Sequence, residues 1–107
     1  MISKRFSIFT ILLALLLTFG HNSYSQGVSD DEIILGMHTD ISGPVSSFGK
    51  YSVEGVQMRI DEINKAGGIH GRMLKIIAED HQYQVPRAVQ AANKLLNKDK
   101  IFPVSYT

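Results

Sequence analysis

His38, Asp40, Asp80 and His81 are the residues whose types and spacing raise the first chemical question. Converging imidazoles and carboxylates could hold a divalent cation. Neighbours along a strand point to opposite faces, however, and no close HxxxH-type spacing supports such a site. Each of the four also has an ordinary reading as a hydrated or turn-capping residue. Asp40 and Asp80 as paired carboxylates at strand ends loosely suggest a phospho-acceptor pocket, which a secreted chain has no cytosolic kinase to serve. The glycines of "GGIHGR" (67–72) follow a predicted helix and precede a predicted strand. A phosphate cradle follows a strand and opens a helix, so these glycines read as a helix stop and a turn. No serine stands on a Gly-x-Ser-x-Gly turn, and no nucleophile–base pair is visible. The expectation is a protein that is not an enzyme and that carries no catalytic residue, metal or cofactor.

The elements that must position these residues follow from periodicity. Ile33, Ile34 and Leu35 open a short apolar run that reads as a strand buried on both faces. "DISGPVSSFGKYSVEG" then makes a wide loop, with Gly43, Pro44 and Gly49 constraining its backbone and Phe48 near its far end. From Lys50 to Ala66 the apolar residues Val53, Val56, Ile60 and Ile63 recur at helical spacing, and Gly67-Gly68 stop the helix. Gly55 within it is read as a point of close packing on the sheet, with a packing-neutral glycine as the alternative. A second strand runs from Met73 to Glu79. A second helix starts near Pro86, with Ala88, Val89, Ala92, Leu95 and Leu96 as its apolar stripe. "KIFPVSYT" begins a third strand. Strand, helix, strand, helix, strand is the order of a parallel α/β sheet with right-handed crossovers. Ligands of such sheets bind beyond the carboxyl ends of the strands. The loops Thr39–Gly49 and Asp80–Val85 lie there, bringing Ser42, Ser46, Ser47, Phe48 and Tyr83 beside the four residues above.

The 107 residues carry a net charge of +1 and no cysteine, which excludes disulfides, zinc–thiolate sites and a cysteine nucleophile. No basic stripe stands out, so nucleic acid is not an expected partner. The chain opens with Lys4 and Arg5, runs apolar from Phe6 to Phe19, and then turns polar. This reads as a secretory leader over residues 1–25, with Ser23 and Ser25 as the small residues at the cleavage site and Gln26 as the first mature residue. The apolar run is shorter than the roughly 20 residues a membrane span needs. No cysteine follows it to carry a lipid. The expected location is the periplasm.

The run from Ile33 to Asp80, followed by "YQVPRAVQAANKLL", resembles the N-terminal part of a type I periplasmic binding protein. Within that group it resembles the leucine/isoleucine/valine-binding branch that serves ABC importers. The matching residues are Ser42-Gly43-Pro44, Gly49, Gly55, Glu62-Ile63-Asn64, Gly67-Gly68-Ile69, Gly71-Arg72, Asp80, and Pro86 with Ala88. The resemblance implies that residues 26–107 are the βαβαβ portion of an N-terminal lobe, truncated before the second lobe. It implies that the Ser-Gly-Pro loop is the rim of a ligand cleft. Phe48 then contacts a small-molecule ligand, with Ser42 and Tyr83 as further ligand-binding candidates. Tyr83 has packing under the second helix as its alternative. In relatives the position of His81 often carries an acidic or small polar residue.

In the family the third strand leads into a Gly/Ser/Thr-rich loop that grips the ligand. Here the chain reaches Thr107, and Pro103 lacks the backbone donor a central strand would use. No role is carried onto Ser105 or Thr107. The expected function is the substrate-binding component of an ABC importer for branched-chain amino acids or related small organic ligands, with a membrane permease as partner. A truncated or frameshifted piece of such a protein is the form expected. Two alternatives stay open: a secreted sensing module that presents its ligand to a receptor, and a stand-alone fragment that dimerises through its open sheet edge.

Overall fold

The computed structural model describes residues 24–102. Strand β1 spans Glu32–Thr39, helix α1 Ser46–Lys65, strand β2 Met73–Asp80 and helix α2 Val85–Asn93. The fold is α/β: two parallel strands joined by α1, with α2 following β2. The register runs from Glu32 beside Met73 to Thr39 beside Asp80, so both strands end level and present their loops together.

Alternation along β1 sends odd and even residues to opposite faces. Thr39 Oγ1 lies under Gly49 of α1, whereas Gly36 faces Leu95 and Ile101 beyond α2. The two helices therefore cover opposite faces. Ile60, Leu74, Ala91, Leu95 and Ile101 are the buried apolar residues of this small core. Asn64 clips α1 to the sheet: its amide donates to the Leu74 carbonyl at 2.9 Å and accepts the Leu74 N–H at 2.8 Å.

Helix α1 begins at Ser46, four residues before the start that periodicity suggested. The Val45 carbonyl accepts the amides of Phe48 and Gly49, so Ser46, Ser47 and Phe48 form a first turn and not a loop. At the other end Gly68 donates to the Ile63 carbonyl at 2.9 Å, and Gly67 takes a φ of 105°, the left-handed stop expected of it. Gly55 is the packing-neutral glycine of its two readings, and the expected close packing on the sheet is not found. A Cβ there would meet nothing within 4 Å, because the residue lies on the solvent face of α1 and not against the sheet.

In α2 Pro86 occupies the first turn, as expected. Ala91 and Leu95 form the buried line, while Val89 and Leu96 of the expected stripe are exposed. Each stands about 100° around the helix from Ala88 or Leu95 and so falls off the sheet-facing side. The chain continues through a π-helical turn, Lys94–Lys98, where the Lys94 ammonium bridges Glu79 and Asp99. Glu79 and Asp99 hold the Lys94 ammonium above its ordinary value.

On its other edge β1 meets both ends of the described chain. Its Ile34 donates to the Gly27 carbonyl and accepts the Phe102 amide at 2.7 Å. Lys100–Phe102 thus reaches β1 where a third parallel strand would start, although no strand is formed there. Pro103, Ser105 and Thr107, and nearly all of the proposed leader, lie outside the described residues. Among the described residues no helix is long and apolar enough to cross a membrane.

Candidate ligand-rim site

Two carboxylates shape the loops at the strand ends. Asp40, only 2% exposed, follows β1 and turns back on its own loop. One oxygen accepts the Gly43 amide and the other the Val45 amide at 2.8 Å. This is the turn that Asp promotes by bonding to the backbone just ahead of it, here placed directly before a helix. Gly43 is required for this closeness: a Cβ would come within 2.6 Å of the Asp40 carboxylate and 2.8 Å of the Gln82 carbonyl.

Asp80, at the end of β2, ties the second loop to the first. Its oxygens accept the Ile41 amide at 2.9 Å, the Ser42 hydroxyl at 2.5 Å and the Gln82 amide at 2.9 Å. The Gln82 side chain adds a bond to the Ser42 hydroxyl at 3.0 Å. The Ser42 hydroxyl, followed by the Ile41 amide, holds the Asp80 carboxyl down to about 2, against an ordinary 3.8. A carboxyl lowered on folding stabilises the folded state fully above its ordinary range, and that contribution disappears as pH falls through about 2. The Asp80 contribution to the urea midpoint should therefore stay level from pH 7 to 5 and fall away below pH 4. In Ser42→Ala the Asp80 part of this drop should be smaller, because the largest cause of the shift is gone. An equal acid loss in both proteins would refute this account.

The expected site residues are now placed. Ser42 joins Asp80 to Gln82 and so links the loop after β1 to the loop after β2. Phe48 stands on the first turn of α1, 77% exposed beside the locked loop, and Tyr51 is exposed one turn further on. Tyr83 is also exposed and does not pack under α2. His38 and His81 meet edge to face, with ring centroids 5.3 Å apart. Asp40 turns into its own loop, and the described residues hold no cluster of three or more His, Asp or Glu able to bind a metal. Asp40 and Asp80 thus take the turn-capping reading and not the metal one, although their joining of the two loops was not foreseen. The Asp-x-Ser-Gly-Pro pattern carries the signal, since an Asp ahead of Ser-Gly-Pro marks a side-chain-bonded turn.

Comparison with known proteins decides the family. Residues 32–105 match the sequence model described as "Periplasmic binding protein". The chain belongs to the periplasmic binding protein family. This periplasmic binding protein chain is 34% identical over 95 residues, 89% of its length, to the leucine-, isoleucine-, valine-, threonine- and alanine-binding protein of Pseudomonas aeruginosa, of which that covers 25%. It is 36% identical over 73 residues, 68% of its length, to a leucine-specific-binding protein of Salmonella typhimurium, of which that covers 20%.

Among solved structures it resembles a fatty acid ABC transporter substrate-binding protein from Thermomonospora curvata. The TM-score is 0.68 at 33% identity, over 70% of this chain and 19% of that one. It also resembles the branched-chain amino acid transporter substrate binding protein LivJ from Streptococcus pneumoniae in complex with isoleucine. There the TM-score is 0.64 at 28% identity, over 66% and 20% of the two chains. The chain thus spans a quarter or less of the length of these relatives, all of which are named as binding or transport proteins.

Proposed function

We propose that this chain is the first part of the ligand-binding lobe of a periplasmic, ABC-importer substrate-binding protein. Residues 1–25 are its secretory leader and residues 26–107 the lobe segment. The ligand is a branched-chain amino acid or a related small organic molecule, and the partner is a membrane permease. Phe48, Ser42 and Tyr83 form the ligand rim, and the protein carries out no catalysis. The observation that supports this most is the locked loop. Asp40 and Asp80 hold the Ser-Gly-Pro turn rigid from below while Phe48 projects beside it at the carboxyl ends of both strands. A rigid scaffold with an exposed aromatic is what ligand recognition needs, since little ordering remains to be done on binding. The relatives named for leucine, isoleucine and valine favour amino acids, and the fatty-acid-binding structure defines the contrasting class to test.

The test is calorimetric titration of leucine, isoleucine, valine and decanoate into the secreted protein. One ligand of the panel should bind. Phe48→Ala should weaken that binding about tenfold, the cost of truncating an aromatic contact. Stability should change by less than about 0.5 kcal/mol, as for exposed positions generally. Unchanged affinity in Phe48→Ala, Ser42→Ala and Tyr83→Ala would remove the rim from this reading.

A further inference from the structure

The loop after β2 contains two successive residues in the left-handed region, Gln82 at a φ of 51° and Tyr83 at 57°. Neither is glycine, so each carries a conformational cost that its surroundings must offset. The offsetting contacts form a series. The Asp80 carboxylate accepts the Gln82 amide, and one residue later the His81 imidazole accepts the Tyr83 amide at Nδ1, 3.0 Å away. Both bonds run from a side chain to the backbone two residues on, and His81 Nδ1 occupies the place an Asn or Asp Oδ1 takes in such a turn. The His81 amide itself is bonded to the Thr39 carbonyl at 3.0 Å, so the ring is anchored to the sheet at its base.

We propose that His81 is a positioning residue for Tyr83, and that only its imidazole unprotonated at Nδ1 holds Tyr83 at the rim. This rests on the reading of Tyr83 as a rim contact. An imidazole that accepts at Nδ1 carries its proton on Nε2. A second proton at Nδ1 converts the acceptor into a donor facing the Tyr83 N–H, and the bond is lost. The turn keeps the bond from the Gln84 amide to the His81 carbonyl at 2.9 Å, but its second residue loses the side-chain acceptor that fixes the Tyr83 amide. His38 meets the ring from β1 and Asp80 stands beside it in the chain, while Arg87 of α2 lines a cleft with Asp80 and Glu79. The same tautomer argues against a two-histidine metal site here, since a metal-bound histidine normally donates from its other nitrogen.

The test is amide exchange of the ¹⁵N-labelled full chain followed by NMR between pH 8 and 5, the range in which histidines titrate. In the parent protein the protection factor of the Tyr83 amide should fall about five- to tenfold toward pH 5, matching the loss of one ordinary hydrogen bond. His81→Asn keeps an acceptor that does not titrate, so Tyr83 should stay protected across the range. His81→Ala should leave it unprotected throughout. A Tyr83 amide that behaves alike in the parent and in His81→Ala overturns the proposal. So does a pH response that persists in His81→Asn, which would assign it to His38 or another group. The parent and His81→Asn suffice should His81→Ala fail to fold. Titration of leucine into the parent and Tyr83→Ala separates the two readings. Equal affinities there remove Tyr83 from the rim, whereas the exchange data bear on His81 alone.

Discussion

Gly49→Ala should abolish cooperative folding of this chain. A Cβ at Gly49 would lie 1.7 Å from the Asp40 carbonyl oxygen and 3.0 Å from Thr39 Oγ1. The first obstacle is backbone, so no rotamer change can relieve it. The start of α1 would have to lift off the end of β1. That movement pulls Gly43 and Val45 away from the Asp40 carboxylate and opens the turn. Overpacking a well-fitted site usually costs about 1–3 kcal/mol, and a clash with fixed backbone exceeds that. A domain of this size has little stability to lose. Urea titration followed by far-ultraviolet circular dichroism should show a cooperative transition in the parent and none in the variant. A variant transition within about 1 kcal/mol of the parent would mean that the two segments separate freely. Gly55→Ala is the matched control. With open space around its Cβ, it should gain about 0.5–1 kcal/mol from helix propensity alone.

Asp40→Ala carries the next largest effect. It leaves the Gly43 and Val45 amides without their acceptor at a position almost closed to water. Each buried donor left unpaired costs about 1–3 kcal/mol, so a loss of about 2–4 kcal/mol is expected after partial hydration of the opened loop. Asp40→Asn keeps one acceptor oxygen but turns an amide N–H toward the other donor, and should fall between the parent and Asp40→Ala. The order of the three urea midpoints is the check. Equal midpoints for parent and Asp40→Ala would show that the turn holds without its carboxylate. Because Phe48 and Ser42 ride on this turn, any ligand affinity should fall along with the midpoint.

The elements were legible because burial leaves a periodic trace. Val53, Val56, Ile60 and Ile63 recur at the helical period and face the sheet from α1. The glycine pair after Lys65 signals the stop that Gly67 and Gly68 provide. Side-chain direction within irregular segments leaves no such trace. Gly55 looks the same in sequence whether it touches a strand or solvent, and it touches solvent. Val89 and Leu96 are apolar but lie to one side of the line through Ala91 and Leu95, a distinction set by how α2 rests on two strands. The start of α1 at Ser46 was hidden because Ser, Ser and Phe favour no helix, whereas tertiary anchoring of the turn by Asp40 does.

Residue order alone determined the α/β class, the succession of strands and helices, the glycine stop of α1 and the gathering of two loops at one end of the sheet. Those features depend on periodicity and local backbone preference, which neighbours within a few positions encode. Only the tertiary structure decided that Asp80 of one loop binds Ser42 of the other, 38 residues away, that Asp40 is buried, and that Phe48 and Tyr83 face outward. Which acceptor meets which donor depends on where parallel pairing sets Thr39 beside Asp80. That distance in space is fixed by the crossover through α1 and is written in no short stretch of the chain.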